Sequence, residues 1–320
     1  MAVYTDVDDE ELEAFLEDYD LGQAIACKGI AEGVENSNFL LQTERGVFIL
    51  TLYEKRVRAE DLPFFVGLME HLAGAGIPCP TPVKARDGAA LRRLAGKPAA
   101  VVTFLKGVWP RRPNVGQCGE LGEALARLHL AGLDFPMRRA NDLSLEGWRR
   151  LEAATSARAD EVQAGLAGGI AHELAHLSSA WPHGLPQWVI HADLFPDNVF
   201  LLGDRLSGLI DFYFACNDAL AYDVAVCLNA WCFEPGGEFN ITKARRFVRA
   251  YRQTRPLGDE EIAALPTLAR GAALRFLLTR LYDWLNQVDG ALVRPKDPLE
   301  YRVKLRFHQG ARSARDYGID

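Results

Sequence analysis

The spacing of hydrophobic side chains changes at about Phe104, and this change constrains the fold more than any other feature of the sequence. Before it, short apolar runs separated by turns predict strands at 24–30, 39–43, 47–53 and 99–104, with helices at 9–18 and 61–73. After it, a connector with Gly107, Pro110 and Pro113 leads into helical spacing. The pattern predicts an α+β protein in which a small antiparallel-sheet domain (1–104) precedes a larger helical domain (105–320).

The second part of the chain is predicted to be helical except for one β-rich segment at 188–214. Helices are predicted at 114–131, capped by Asn114, and at 145–157, 160–180, 219–231, 242–253, 259–285 and 298–314. In the first part, Asp87-Gly88 predicts a hairpin turn before the apolar strand at 99–104.

The β-rich segment carries the polar pattern that points to chemistry. His191, Asp193 and Asn198 have the spacing H-x-D-x-x-x-x-N, and a second apolar run ends in Ile210-Asp211-Phe212. The amide of Asn198 and the carboxylate of Asp211 suit Mg²⁺, which takes few protein oxygens and completes its coordination shell with phosphate and water. Asp193 would then meet an incoming hydroxyl, as in phosphoryl transfer. Isolated H-x-D triplets are common as turn residues, but the complete pattern favours the catalytic interpretation.

Composition excludes several classes of protein. Lys and Arg number 36 against 43 Asp and Glu, a net charge of −7 without a basic cluster, so neither nucleic acid nor an anionic membrane is expected as a partner. No apolar run approaches the ~20 residues of a membrane span, and the acidic start is unlike a signal peptide. The six cysteines form no C-x-x-C pair and are interpreted as reduced thiols. We predict a cytoplasmic protein, and its oligomeric state is left open.

A zinc-protease pattern, His172-Glu173-x-x-His176, also occurs in the sequence. Two histidines one helical turn apart could bind zinc, but a third ligand is required. The extended pattern needs Gly and His where the chain has Ser179 and Pro182. We therefore interpret the pair as exposed helix histidines. Neither a G-x-x-x-x-G-K-[ST] loop nor a G-x-G-x-x-G turn occurs, which argues against P-loop and Rossmann enzymes.

Over nearly its whole length the chain resembles the aminoglycoside phosphotransferase and choline kinase group of eukaryotic-like kinases. Within that group it is most similar to the bacterial members that phosphorylate L-homoserine. The similar stretches are 61–65, 67–72, 76–80, 121–129, 191–200, 210–217, 222–225 and 229–233. The resemblance implies a two-lobed protein-kinase-like fold. It also implies transfer of the γ-phosphoryl group of Mg-ATP to the side-chain hydroxyl of L-homoserine, a step toward threonine.

The resemblance also implies residue roles. Asp193 would orient the hydroxyl and accept its proton late, His191 would hold the catalytic loop, and Asn198 and Asp211 would ligate Mg²⁺. The backbone of Thr103, Phe104 and Leu105 would bind adenine. The turn containing Asn36 and Ser37 would offer backbone N–H groups to the phosphates. The same residues are equally compatible with an ordinary hairpin turn that binds nothing.

One position departs from the kinase pattern. Most kinases carry a phosphate-binding Lys on the strand before the first large helix, whereas this strand has Thr51 near that place and Lys55 beyond its end. Phosphate charge would then fall on Mg²⁺ and backbone amides, or on Lys55. The missing Lys also motivates an alternative hypothesis, a catalytically silent nucleotide-binding relative, against which the intact Asp193, Asn198 and Asp211 argue.

The acceptor pocket is predicted least specifically. A zwitterionic amino acid needs a cation for its carboxylate and an acid for its ammonium group. The candidates are Arg275, Tyr282, Asp223 and Glu234. The alternatives left open are a surface or interlobe salt bridge for Arg275 and a helix cap or a buttress of the catalytic loop for Asp223. Other acceptors, namely an aminoglycoside, choline, another hydroxylated amino acid or a protein hydroxyl, stay open.

Overall fold

The computed structural model describes residues 5–30, 36–54, 57–287 and 295–319. The chain divides into two compact units, Met1–Gly107 with Ser207–Tyr213, and Val108–Leu206 with Phe214–Asp320. The predicted boundary assigned Ser207–Tyr213 to the second domain. This segment belongs to the first unit, where the Leu209 amide donates to the Pro78 carbonyl at 2.8 Å and Ser207 Oγ donates to the Lys106 carbonyl at 2.8 Å.

The first unit is built on an antiparallel sheet. Its elements are α1 (Asp9–Leu16), β1 (Ala24–Gly29), β2 (Ser37–Thr43), β3 (Gly46–Leu52), α2 (Leu62–Gly74), β4 (Arg92–Leu94) and β5 (Lys97–Thr103). The five strands have the order β1-β2-β3-β5-β4. The core lies between α1 and one sheet face, where Phe39, Leu41, Leu50, Leu52 and Val101 are buried.

The predicted hairpin turn at Asp87-Gly88 is confirmed. The Gly88 amide donates to the Ala85 carbonyl, and the Ala85 amide donates across the turn to the Ala89 carbonyl, both at 2.8 Å. A second hairpin, which was not predicted, joins β4 to β5 through Ala95 and Gly96, whose φ angles are 47° and 72°. Positive φ at both central residues is what a type I′ hairpin turn requires. Alanine at a left-handed position gives no sequence signal for such a turn.

The second unit is mainly helical. Its elements are α3 (Val115–Gly132), α4 (Leu145–Thr155), α5 (Ala159–Val162), α6 (Leu166–Ala180), β6 (Gln187–Ile190), β7 (Val199–Leu202), β9 (Cys216–Ala219), α7 (Leu220–Trp231), α8 (Ile241–Thr254), α9 (Asp259–Leu285) and α10 (Leu299–Gly310). β6 pairs with β9, and β7 forms a two-stranded sheet with β8 (Arg205–Leu209).

One predicted helix is interrupted, and another continues through a proline. The single helix predicted at 160–180 is interrupted between α5 and α6, because Gln163 is extended and Gly165 has a φ of 75°. α9 follows its prediction and continues through Pro266. By length and composition α9 could cross a membrane, but 67% of its apolar window is buried inside the protein. Burial of this kind is typical of a core helix.

α3 is fixed at its start and along its length. Asn114 and Gln117 form the predicted cap as a reciprocal capping box. Further along, α3 packs closely on α8: a Cβ atom at Gly122 would lie 2.2 Å from the Phe247 carbonyl oxygen. Only glycine permits that approach.

His308 makes the second unit sensitive to acid. Asn229 uses its amide nitrogen on the Ala225 and Ala269 carbonyls, so its Oδ1 accepts from His308 Nε2 at 3.0 Å. His308 Nδ1 then accepts from the Tyr317 hydroxyl at 2.9 Å. The neutral ring is fully hydrogen-bonded. Burial, with the charge of Lys304, lowers the pKa of His308 from 6.5 to about 3.

We therefore expect stability to fall as the pH drops below 6.5. The folded pKa lies below the unfolded one, so the stabilisation is complete above pH 6.5 and is lost progressively toward pH 3. The loss is about 1.4 kcal/mol per pH unit in the free energy of unfolding. Urea unfolding at pH 7.5, 6 and 5 measures this slope, which His308→Gln should reduce by that amount. His172→Gln, at an exposed position on α6, should leave the slope unchanged.

Candidate active site

The loop between β6 and β7 holds three of the predicted site residues. The Asp193 carbonyl accepts from the Phe195 amide at 2.9 Å and from Asn198 Nδ2 at 2.8 Å. A 3-10 turn, Pro196–Asn198, then leads directly into β7. Because Nδ2 of Asn198 is hydrogen-bonded within the loop, Oδ1 is left as the atom that can ligate a metal ion. Hard cations such as Mg²⁺ take oxygen ligands of this kind.

Asp193 lies beside a buried arginine. Its side chain is 18% exposed, and its Oδ1 lies 3.8 Å from Nη2 of Arg275, which is 1% exposed. Arg275 Nη1 also donates to the Ala192 carbonyl. Arg275 is therefore neither on the surface nor an independent salt bridge. It is a cation bonded to the candidate catalytic loop, residues 191–198, and it lies beside the carboxylate that is predicted to meet the hydroxyl.

Asp223 holds the same loop through hydrogen bonds to its backbone. Its carboxylate is fully buried and accepts from the backbone amides of His191 at 2.7 Å and Ala192 at 2.9 Å. His191 is itself fully buried, and its Nδ1 accepts from the Asp193 amide at 3.3 Å. With both carboxylate oxygens engaged, Asp223 is placed to buttress the loop, which disfavours its interpretation as a substrate ligand.

A chain of polar groups runs outward from Asp223. With its proton on Nε2, His129 donates to Asp223 at 3.2 Å and accepts from the Tyr251 hydroxyl at 2.7 Å. Arg255 donates to Tyr251 at 3.1 Å and to Glu261 at 3.0 Å. Burial alone would raise the pKa of Asp223, but the hydrogen bond from His129, electrostatic interactions with His129 and His191, and the hydrogen bond from the His191 amide lower it below its ordinary value. Asp223 is therefore held ionised.

Ala192 shows that this loop is strained. Its φ is 64°, and Asp211 has a φ of 65°. Among the residues that the structure describes, the third non-glycine residue with positive φ is Ala95, in the β4–β5 hairpin. Such conformations typically cost about 1–3 kcal/mol and persist where surrounding contacts determine them. Here the contacts at Ala192 are the bonds from its backbone to Asp223 and Arg275.

Asp211 belongs to the first unit and follows β8. The neighbouring Tyr213 packs edge-on against Phe65 and Tyr53, with ring centroids 5.7 and 5.4 Å apart. Burial raises the pKa of Tyr213 to about 12, and the Asp211 charge adds to this. The segment is thus anchored by an aromatic cluster directly after the carboxylate.

Thr51 lies on the sheet face opposite α1, since Leu50 and Leu52 on either side pack into the α1 core. Its hydroxyl donates to Asn38 Oδ1 at 2.8 Å. The described residues place a neutral hydrogen bond where most kinases carry a Lys. Lys97 pairs with Glu54 at 2.7 Å, but by strand alternation it projects to the α1 side. Lys55 lies outside the described residues.

Asn36 and Ser37 use their side chains inside the first unit. Asn36 Oδ1 accepts from the Glu54 amide at 3.3 Å, and Ser37 Oγ donates to the Glu54 carboxylate at 2.8 Å. Ser37 is the first residue of β2 and pairs with Leu52 of β3, so from Ser37 onward the predicted turn is strand. At the other end of the sheet, the Thr103 amide donates to the Thr81 carbonyl at 3.0 Å. Phe104 and Leu105 follow the strand, and Phe104 is exposed.

Two predicted substrate residues are not brought to the catalytic loop. Glu234 pairs with Lys243 at 2.7 Å and accepts from Asn240 at 2.8 Å, in the turn after α7. Tyr282 is 40% exposed on α9. The helical spacing between Arg275 and Tyr282 is real, but two turns separate the side chains. Their contacts give no support for a substrate role.

The structure instead shows a pocket in the second unit that the sequence did not reveal. Its cavity volume is about 200 Å³. The lining residues are Trp109, Pro110, Arg111, Phe195, Pro196, Asp197, Ala230, Arg280, Lys296, Glu300 and Lys304. Glu300 and Lys304 form an i,i+4 pair on α10, which in sequence resembles any exposed helical ion pair. Without the packing of α9 on α10, nothing marks them as functional.

The zinc-protease pattern is not arranged as a metal site. Glu173 is fully buried, and its carboxylate accepts from Arg270 at 2.6 Å and from Gln309 at 2.8 Å. His172 and His176 are exposed on α6, as expected. Within the described ranges, no cluster of three or more His, Cys, Asp or Glu side chains could hold a metal ion. A magnesium site completed by phosphate oxygens needs no such cluster.

Comparisons with known proteins are consistent with these features. The homoserine kinase of Bradyrhizobium diazoefficiens is 67% identical over 320 residues, covering 100% of this chain and 98% of that protein. The homoserine kinase of Rhodospirillum rubrum is 64% identical, covering 100% of this chain and 99% of that protein.

Solved structures share the fold at low identity. An amicoumacin kinase in complex with AMP-PNP, Ca²⁺ and Ami matches with a TM-score of 0.70 at 16% identity, covering 94% of this chain and 93% of that chain. A microcompartment-associated aminopropanol kinase matches with a TM-score of 0.65 at 17% identity, covering 94% and 97%. These likenesses confirm the predicted α+β kinase-like fold. Because the model of the phosphotransferase enzyme family matches residues 26–257, which is most of the sequence, the chain belongs to that family.

Proposed function

We propose that this protein is a homoserine kinase, which transfers the γ-phosphoryl group of ATP to the side-chain hydroxyl of L-homoserine. The product is O-phospho-L-homoserine, an intermediate on the way to threonine. The observation that carries the proposal is full-length identity of 61–67% to several homoserine kinases. The loop containing Asp193 and Asn198 supplies the chemistry for the transfer.

Asp193 is the residue we assign to the acceptor hydroxyl. Phosphoryl transfer asks little covalent work of the protein, so the task of Asp193 is to orient the hydroxyl and to accept its proton late in the reaction. Arg275, 3.8 Å from the carboxylate, and the bond between Asn198 and the Asp193 carbonyl hold it in place. His191 and Asp223 support the loop from inside.

The proposed cofactor is Mg-ATP. Asn198 offers an oriented amide oxygen and Asp211 a carboxylate, a donor set that suits Mg²⁺. When bound, the ion neutralises charge on the phosphates. We assign the adenine contacts to the backbone of Thr103, Phe104 and Leu105, and the phosphate contacts to the backbone around Asn36 and Ser37. The AMP-PNP held by the amicoumacin kinase supports a nucleotide in this fold.

The cellular setting follows from the same reasoning. A small amino acid and ATP are cytoplasmic metabolites, and we place the enzyme in the cytoplasm. The net charge of −7 disfavours nucleic acid and anionic membranes as partners.

The proposal is tested by measuring ADP release with L-homoserine present and absent. We expect release that needs both L-homoserine and Mg²⁺, and that stops when EDTA is added and resumes when excess Mg²⁺ is restored. Phosphorus NMR should show a phosphate monoester on the homoserine oxygen. Background ATP hydrolysis should be lower than transfer by roughly 10³-fold, since an aligned acceptor has a large effective molarity.

A panel of other hydroxyl compounds provides the control. 3-Aminopropan-1-ol, choline, L-serine and an aminoglycoside should each give kcat/KM values at least roughly tenfold lower. Equal or better turnover of one of these would transfer the proposal to that acceptor. An absence of turnover with every acceptor, together with retained ATP binding, would favour the silent relative instead.

A further inference from the structure

The pocket beside the catalytic loop carries more positive than negative charge. Four cationic side chains line it, Arg111, Arg280, Lys296 and Lys304, against two carboxylates, Asp197 and Glu300. All of these residues belong to the second unit. Closely placed charges of one sign raise the local concentration of ligands of the opposite sign. The pocket is therefore suited to an anionic group.

The two most buried cations share one carboxylate. Lys304, whose side chain is 7% exposed, pairs with Glu300 Oε1 at 2.7 Å. Arg280, 11% exposed, donates to Glu300 Oε2 at 2.6 Å. Glu300 itself is half exposed. The two cations carry one positive charge more than Glu300 compensates, and their own burial makes that charge expensive to maintain. Burial accordingly lowers the pKa of Lys304, although the charge of Glu300 opposes the shift.

Aromatic rings fix the positions of these cations. Lys304 Nζ lies 4.4 Å from the ring centroid of Tyr301, and the Arg280 guanidinium lies 4.5 Å from the same centroid. The Tyr301 hydroxyl is buried and has no hydrogen-bond partner among the described residues. Lys has three N–H donors and Arg five, so both retain donors beyond the bonds to Glu300. The group is preorganised to accept another anion.

The pocket adjoins the segment that follows the candidate catalytic residue. Phe195, Pro196 and Asp197 line it and stand two to four positions after Asp193 in the loop. The Phe195 ring centroid lies 6.4 Å from that of Tyr301, the ring that both cations contact. In an extended L-homoserine, the hydroxyl oxygen and the carboxylate carbon are roughly 5 Å apart, from ordinary bond lengths. A substrate whose hydroxyl meets Asp193 must place its carboxylate close to this loop.

We propose that Lys304 and Arg280 bind the α-carboxylate of the amino-acid substrate. This rests on the function proposed above and extends it to the groups that select an amino acid over a simple amino alcohol. Charge-assisted hydrogen bonds from two cations would both anchor the substrate and exclude acceptors that lack an anionic group.

The test compares L-homoserine with 3-aminopropan-1-ol, which is the same molecule without its carboxylate. Lys304→Met removes the charge and keeps an unbranched side chain one atom shorter. In this variant we expect the KM for L-homoserine to rise roughly 100-fold, the value of a buried charge-assisted hydrogen bond. The kcat/KM for 3-aminopropan-1-ol should change less than about threefold. The ratio of kcat/KM for L-homoserine to kcat/KM for 3-aminopropan-1-ol should therefore fall by nearly the same roughly 100-fold. Lys304→Arg should recover part of it.

Lys84→Met is the matched control, because Lys84 is half exposed on the first unit and pairs with Glu70. It should leave both substrates unaffected. If Lys304→Met keeps the wild-type preference, or if it weakens both substrates equally, the pair has only a structural role and the inference is wrong. If wild-type protein itself does not phosphorylate L-homoserine, the function proposed above fails instead.

Discussion

Replacing Asp193 with alanine should lower kcat for phosphoryl transfer to L-homoserine by roughly 10³-fold, within the range that a positioned general base contributes. The physical reason is that the variant lacks the carboxylate that orients the hydroxyl and takes its proton. The KM for ATP should change little, because Asp193 is assigned to the acceptor. Steady-state ADP release over a range of both substrates measures these quantities.

The fold should survive this change. Asp193 is partly exposed, and the backbone bonds to Asp223 and Arg275 that hold the loop do not involve its side chain. Thermal unfolding should therefore shift by only a few degrees. The matched control is Asp204→Ala. Asp204 lies in an exposed turn, and its carboxylate accepts from Asn114 and Gln117. This variant should retain wild-type kcat. Turnover by the Asp193 variant within tenfold of wild type would contradict the assigned role.

The local geometry of the candidate catalytic loop could be predicted because the residues that form it are close in sequence. His191, Asp193 and Asn198 fall within eight positions, and the turn geometry that gathers them depends on neighbours in sequence. Their bonds to one another, such as Asn198 Nδ2 to the Asp193 carbonyl, span five residues or fewer. The placement of such a loop between two strands follows from the apolar runs on either side.

The supporting residues could not be assigned in the same way. Asp223 lies 31 positions from Ala192, and Arg275 lies 83 positions from it, so their roles depend on how helices pack. His129 bonds to Asp223 across 94 positions. In the sequence, His129 is marked only as part of the family-like stretch 121–129, which does not indicate this role. Asp223 and Arg275 were predicted as candidates for the substrate, and only packing distinguishes a loop support from a ligand.

The hairpin and the pocket were missed for a related reason. The β4–β5 turn uses Ala95 in a left-handed conformation that its residue type does not announce. Lys304 and Glu300 resemble a solvated ion pair until Arg280 from another helix shares the same carboxylate. Patterns report the face of a helix correctly, but they do not report which side chains meet across two helices.

Asp223→Ala should damage both stability and catalysis. It removes the acceptor for two backbone amides and for His129, all in a fully buried place. Removing one partner of a buried charged pair typically lowers the free energy of unfolding by about 3–5 kcal/mol. Urea unfolding measures this loss. In the protein that remains folded, kcat should fall by roughly 100-fold, because displacing a reacting group by an ångström has an effect of that size.

A second variant separates the two effects. Ala192 keeps a φ of 64° largely through its bonds to Asp223 and Arg275, and glycine adopts that angle without strain. Adding Ala192→Gly to Asp223→Ala should return about 1 kcal/mol of stability. It should not return kcat, because a glycine relieves strain but does not hold the loop in one position. If the double variant recovered turnover along with stability, Asp223 would serve the fold alone, and the alignment of Asp193 would have to come from Arg275 and Asn198.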